Sequence, residues 1–244
     1  MTTNSTDTNS TDASSFNGLR VAVTGGTSGL GLALVERLRR GGADVAFVAR
    51  NERRVKEVEG RLPGAHGVDG DVSQKGETHV LAMRITAALG GLDVLINNAS
   101  SLGPVPLALL ADTECEELEL ALATNLVGPF RLTKALLGAL TASAREGRPA
   151  LVINITSDAA VTPYAGWGAY GASKAALTQM SRIWNEELRE HGVRVESFDP
   201  GDMDTPLHAL AVPEADPATL KKPGDAAGEI LQLIATATNA EVAA

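Results

Sequence analysis

The sequence predicts an α/β domain with a mainly parallel sheet of six or seven strands, doubly wound and flanked by helices. Three observations carry this expectation. Short apolar, strand-like runs alternate with segments of helical periodicity along most of the chain, and that alternation demands crossover connections and hence parallel neighbours. The first run, Leu19–Thr24, is cut at once by glycines and followed by a helical pattern, as in sheets that take ligands beyond the carboxyl ends of their strands. The 244 residues fall at the upper end of what one α/β domain buries around a single core.

Taken in order, Leu19–Thr24 is a short buried strand, and Leu30 to Arg40 follows with Leu30, Leu34 and Leu38 on one helical face. Gly41–Gly42 stops that helix, and Ala43 to Ala49 is a second strand. A polar helix spans about Glu52 to Leu62, a short strand lies near His66 to Val68, and a helix covers about Lys75 to Leu89. Asp93 to Ile96 is the fourth strand, and a long helix lies within Thr113 to Ser143. The β-branched run Ala150 to Thr156 is the fifth strand, a helix runs from about Gly168 to Glu190, and Arg194 to Phe198 is the sixth strand. The last clear element is a helix from about Asp225 to Ala237. This order is that of a Rossmann-like sheet, expected to occupy residues 16–244 as a single domain. Residues 1–15 are almost entirely Thr, Ser, Asn and Asp, too polar to repay their ordering entropy, and are expected to form a disordered tail.

With 30 acidic against 21 basic residues the net charge is −9, which argues against a nucleic-acid partner, since such proteins carry a basic face. No apolar run approaches the roughly 18 residues of a membrane span, and the N-terminus lacks a signal peptide's basic-then-apolar layout. A cytoplasmic protein is expected. Cys115 is the only cysteine and sits among Glu114, Glu116 and Glu117, a setting that works against a reactive thiolate.

Thr24–Gly31 joins the first strand to the first helix, with Gly25, Gly29 and Gly31 in a three-then-one spacing. Glycines permit a tight turn and close backbone approach, and the helix N-terminus offers free N–H groups to a pyrophosphate. Thr27, Ser28 and Leu30 complete this candidate dinucleotide loop. The second strand ends Val48–Ala49–Arg50–Asn51, with no carboxylate to read a ribose 2′-hydroxyl. Arg50 there can pair with a 2′-phosphate, so NADP(H) is favoured over NAD(H). Farther on, Ser157 precedes Tyr170–Gly171–Ala172–Ser173–Lys174. Four residues apart on a helix, Tyr170 and Lys174 share a face, about 6 Å apart at Cβ. A nearby ammonium should lower the phenol's pKa and suit it to proton transfer, although a Tyr/Lys pair at this spacing is by itself usually just a helix face.

Together these segments resemble the short-chain dehydrogenase/reductase family, over about Gly18 to Pro206. Thr24 to Gly31 matches the family's TGxxxGxG loop and Tyr170 to Lys174 its YxxxK signature, with Ser157 thirteen residues upstream. Asp71–Val72 matches a segment that contacts adenine, Asn97–Asn98–Ala99 the NNAG motif, Asn125 the helix asparagine, and Pro200–Gly201 the turn after the sixth strand. The resemblance implies Tyr170 as acid/base, and Lys174 as the group that lowers its pKa and binds the nicotinamide ribose. It implies Ser157 on the substrate oxygen, Asn125 holding a water that links Lys174 to solvent, and Thr205 on the carboxamide. A metal is not expected.

Three departures stand out. Ser100 replaces the glycine of NNAG. The segment after Pro206 is short, and its His208 reads as a surface-loop residue. The chain ends Thr238–Ala244 without an evident seventh strand, so a homodimer through the helices within Thr113–Ser143 and Gly168–Glu190 is favoured over a tetramer. The expected function is NADP(H)-dependent interconversion of a small ketone or aldehyde and an alcohol; the alternative is a non-catalytic NADP(H)-binding scaffold. Candidate substrate-pocket residues are Ser101, Leu102, Ser157, Tyr164, Trp167, Met203 and Leu207.

Overall fold

The structure, a computed structural model, describes residues 16–241. The polar segment 1–15, read above as a tail, lies outside the described residues, as do 242–244. The elements run β1 (Arg20–Thr24), α1 (Gly29–Arg40), β2 (Asp44–Ala49), α2 (Glu52–Arg61), β3 (Ala65–Asp69), α3 (Thr78–Leu89) and β4 (Val94–Asn97). They continue with α4 (Cys115–Leu122), α5 (Gly128–Arg145), β5 (Leu151–Ile155), α6 (Gly168–Leu188), β6 (Arg194–Phe198), α7 (Pro206–Ala211) and α8 (Pro223–Glu241). All strand pairs are parallel, in the order β3-β2-β1-β4-β5-β6. The order reverses between β1 and β4, where doubly wound sheets open a crevice.

The alternation of side chains along each strand divides the core. Val21, Val23, Phe47, Ile96 and Ile153 pack with Leu30, Leu34 and Leu38 of α1 and Ile230 and Ile234 of α8. Ala22, Ala46, Val48, Leu95 and Val152 face the other way, onto Leu81 and Ile85 of α3 and Leu132, Leu136 and Leu140 of α5. α1 forms because its leucines recur every four residues, and its last turn carries Arg37, Arg39 and Arg40, which complement the negative end of the helix dipole.

At the amino ends of the strands, the carboxylate of Asp93 is fully buried. It accepts from the Arg20 backbone N–H at 2.8 Å and from Nη2 of Arg20 at 2.7 Å and of Arg148 at 2.6 Å. Burial alone would raise its pKa, but the hydrogen bonds from Arg148 and Arg20 outweigh that and hold the carboxyl down at about 2. Nearer the carboxyl ends a buried polar chain crosses the sheet. Asn97 Nδ2 donates to Thr133 Oγ1 of α5 and to Asn154 Oδ1, and Asn154 Nδ2 donates to Ser181 Oγ of α6. Each amide finds partners, so the chain fixes α5 and α6 against β4 and β5.

Two expectations change and a third is narrowed. The long helix within Thr113–Ser143 is α4 and α5 joined through one wide π-type turn, Ala123–Val127. His208 lies on α7, an added helix that Thr205 caps by accepting the His208 N–H and that Pro206 begins. The sheet has six strands among the described residues; the outer edge of β6 is partly closed by Asn185 of α6, whose Oδ1 accepts the Val195 N–H, while α8 packs on α1. No helix among the described residues is long and apolar enough to cross a membrane.

Candidate active site

The loops at the carboxyl ends of the strands enclose a cavity of about 760 Å³. Its first wall is the β1–α1 turn, where Gly25, Thr27, Ser28, Gly29 and Leu30 line the space. Gly25 and Gly29 have φ of +72° and +51°, in the left-handed region that side chains rarely tolerate. The N–H groups of Gly25 and Gly26 bond Val48 O at 2.8 and 3.2 Å, which fixes the turn to β2. Gly31 lies behind the turn: a Cβ there would meet Gly25 O at 2.2 Å and Asn98 Nδ2 at 2.5 Å. Gly31→Ala is therefore expected to push the turn out of shape and weaken nucleotide binding by more than about tenfold, roughly the 1–3 kcal/mol that overpacking costs. Fluorescence titration with NADPH measures this.

The turn is also tied to β4. Thr24 Oγ1 accepts the N–H groups of Asn98 and Ala99 at 2.9 and 3.0 Å, and Asn98 Nδ2 donates to Thr24 O. Asn98 and Ala99 line the cavity, as do Arg50 and Asn51 after β2, Asp71 and Val72 after β3, and Pro200, Gly201 and Thr205 after β6. Asn51 caps α2 by accepting the Arg54 N–H. Arg50 is exposed and makes no ion pair with a carboxylate among the described residues.

At the other end stand Ser157, Tyr170 and Lys174. Ser157 follows β5, while Tyr170 and Lys174 lie on the inner face of α6. Lys174 is 1% exposed, donates to Ile155 O at 2.8 Å, and holds Nζ 5.4 Å from the Tyr170 ring centre. Tyr170 is 8% exposed and meets Trp167 in a T-shaped ring contact, with centroids 5.7 Å apart. Burial pushes the phenol up to about 12, against the hydrogen-bonding hydroxyls of Ser157 and Ser100. Burial likewise brings Lys174 down to about 7, with the Asp199 carboxylate opposing. The sequence-based expectation was a phenol lowered by the ammonium. In the protein alone desolvation prevails for both groups, since each is ionised only at the cost of leaving water.

Asn125 sits in the wide turn between α4 and α5, 1% exposed. Its Oδ1 accepts from Ser101 N and Ser100 Oγ, and its Nδ2 donates to Ser101 O and Ser173 Oγ. These four bonds use the whole capacity of the side-chain amide, which leaves the backbone carbonyl of Asn125 as the group that could hold a water on the path to Lys174. Asn125 acts here as a clamp between the loop after β4 and α6.

Residues 20–215 match the family described as short chain dehydrogenase. The chain belongs to that family. It is 33% identical over 203 residues to L-fucose dehydrogenase of Rattus norvegicus, covering 83% of this chain and 73% of that one. Among solved structures, a 3-ketoacyl-(acyl-carrier-protein) reductase from Brucella melitensis, complexed with NADH, superposes with a TM-score of 0.82 at 25% identity, over 89% of this chain and 90% of that one. A short-chain dehydrogenase from Shigella flexneri 2a strain 301, complexed with NADP, gives 0.82 at 27% identity over 92% of each chain. This short-chain dehydrogenase is thus an oxidoreductase of CH–OH and carbonyl groups that works with a nicotinamide cofactor.

The candidate site residues named from the sequence line the cavity except Gly31 and Asn125, which support it from behind, and Asn97, which belongs to the buried polar chain. Tyr164, Trp167, Met203, Leu207, Ser101 and Leu102 all do so. Sequence reasoning missed Asp158, Asp199 and Asp202, which share the wall with Ser157 and Tyr170, and placed His208 outside it. His208 Nδ1 is buried without a hydrogen-bond partner, and Nε2 lies 3.8 Å from Asp202. The available signals were adjacency, because Asp158 directly follows Ser157, and the helix start Thr205–Pro206 ahead of His208.

Proposed function

We propose that this dehydrogenase uses NADP(H), in preference to NAD(H), to interconvert a small ketone or aldehyde and its alcohol, with Tyr170 as the acid/base. The observation that carries this reading is one cavity with Arg50 and Arg54 at one end and Ser157, Tyr170 and Lys174 at the other. The residues present suit a dinucleotide. The β1–α1 turn keeps glycine where a side chain would fill the cradle, and Ser28 leaves the α1 N-terminus without a side-chain cap, so backbone N–H groups are free to meet phosphate. Gly25, Thr27, Ser28, Gly29 and Leu30 would hold the pyrophosphate and Arg50 with Asn51 the adenosine ribose. Asp71 and Val72 would face adenine, and Asn98, Ala99, Pro200, Gly201, Thr205, Tyr170 and Lys174 the nicotinamide half.

Bound there, the nicotinamide supplies or accepts the hydride. The chain's own part is positioning and proton transfer. Ser157 Oγ steadies charge developing on the substrate oxygen. Tyr170 Oη, protonated near neutral pH because burial holds its pKa high, gives that oxygen its proton in reduction and takes it back in oxidation. Lys174 Nζ, anchored on Ile155 O, places its ammonium beside the phenol when charged. Trp167, Tyr164, Met203 and Leu207 shape the substrate's space. A scaffold without turnover would have no use for this convergence.

Arg50→Ala tests the cofactor preference. The affinity for NADPH is expected to fall about tenfold or more, the order of a charge-assisted phosphate contact, with NADH little changed. Equal loss for both, measured by fluorescence titration, would mean that Arg50 does not read the 2′-phosphate. We also place residues 16–244 in one catalytic unit in the cytoplasm, without nucleic-acid or membrane partners. A homodimer through α4, α5 and α6 is favoured, supported by exposed Leu120 and Ile183 and by Phe130 stacked on Trp184.

A further inference from the structure

The ends of the cavity differ in charge. Arg50 and Arg54 line the end beyond β2. Around Ser157 the lining holds Asp158, Asp199 and Asp202, and its only lysine or arginine among the described residues is buried Lys174. Asp158 is the carboxylate placed to act on a substrate. Ser157 Oγ donates to its Oδ1 at 3.0 Å, and Tyr164 Oη donates to its Oδ2 at 2.7 Å. The Tyr164 hydrogen bond above all, with that of Ser157, keeps the carboxyl below the usual carboxylate range. Each oxygen retains acceptor capacity for a further donor.

The arrangement has a consequence for Ser157. Its hydroxyl has one proton, and Asp158 holds it; a substrate oxygen needs that same proton. A substrate carrying its own strong donor beside the reacting carbon can satisfy Asp158 in place of Ser157. A vicinal amine has the right placement, because Ser157 Oγ and Asp158 Oδ1 are themselves only a hydrogen bond apart. An ammonium adds charge to the exchange, and aromatic residues such as Tyr164 and Trp167 in the same lining tolerate a nearby cation. Substrates with an anionic group near the carbonyl meet repulsion instead.

We propose that Asp158 is a specificity-determining residue that selects alcohols and ketones with a protonated amine on the neighbouring carbon, the ammonium binding Asp158 and freeing the Ser157 proton for the substrate oxygen. This rests on the reading that Ser157 and Tyr170 act on that oxygen.

The test uses phenylethanolamine, phenylethylene glycol and ethylphenylcarbinol, which present ammonium, hydroxyl and methyl on one skeleton. Oxidation with NADP+ gives kcat/KM, and calorimetry on the protein saturated with NADPH, whose complex with an alcohol cannot react, gives affinity. The amine is expected to exceed the carbinol by about thirtyfold or more in both, with the glycol between, within the range by which one polar contact discriminates. In Asp158→Asn the amine-to-carbinol ratio should fall below about threefold; in Tyr164→Phe, which keeps the charge, the preference should survive. No preference in the wild type, or a preference that persists in Asp158→Asn, overturns the proposal. Should Asp158→Asn fail to fold, Asp158→Ser takes its place. Amine-selective binding lost in Asp158→Asn, but without turnover of any alcohol, upholds Asp158 and overturns the catalytic reading instead.

Discussion

Tyr170→Phe is expected to lower kcat by about 10²–10⁴-fold, the range that a positioned acid/base contributes. The substitution removes one oxygen from a nearly buried ring and keeps its edge contact with Trp167, so folding and the cavity should be preserved. The pH profile separates a proton-transfer role from a packing role. With the phenol pushed up to about 12 and Lys174 brought down to about 7, the phenol is the abundant form at neutral pH and suits reduction. Oxidation, which needs the phenolate, should accelerate as pH rises. That rise should vanish in Tyr170→Phe, and steady-state rates in both directions between neutral and alkaline pH measure it. A residual rate with the wild-type pH dependence would assign the proton to another group.

The second large effect lies at the opposite end of the sheet. Asp93→Ala should destabilise the protein by about 3 kcal/mol, because Arg20 and Arg148 converge on that one buried carboxylate and would lose it, Arg20 keeping only a 3.8 Å contact with Glu146 as an ion pair. Asp93→Asn should cost nearly as much, since an amide has one acceptor oxygen for at least three donors. The pH dependence follows in sign. The carboxyl titrates lower in the folded protein, at about 2, than its ordinary 3.8. Its contribution is therefore fully present above the ordinary value and lost as pH falls through the folded one. The difference is worth about 2 kcal/mol. Urea unfolding between mildly acidic and strongly acidic pH should show this limb in the wild type and a flatter one in Asp93→Asn. Activity per folded molecule should be little altered, because the cavity is at the other ends of the strands.

The strands were legible where both faces are buried. β1 and β5 read as short apolar runs because helices cover the sheet on both sides, and their bounds shift by no more than a residue. β3 was read short because only Ala65 and Val68 of its five residues are buried. The break between α4 and α5 was invisible, since a single wide turn leaves the apolar periodicity on either side nearly in phase. α7 was missed for its brevity, six residues, although Thr205–Pro206 has the chemistry of a helix start. In the site, the glycine turn and the Tyr170–Lys174 face were readable because their spacing is local. The balance of burial against charge at Tyr170 was not, because it depends on what β5, α6 and the loop after β4 jointly exclude. Asp158 was passed over although it adjoins Ser157, since its hydrogen bond to Tyr164 closes only when the segment folds back.

The central claim is hydride transfer at a carbon paired with proton transfer at its oxygen. The most direct measurement is mass spectrometry of alcohols formed from a panel of ketones with NADPH deuterated at the transferable position, in ordinary water. Deuterium on the carbinol carbon of the product, with formation abolished in Tyr170→Phe, is the expected result. Product whose carbinol hydrogen comes from water, or equal product from Tyr170→Phe, would contradict it.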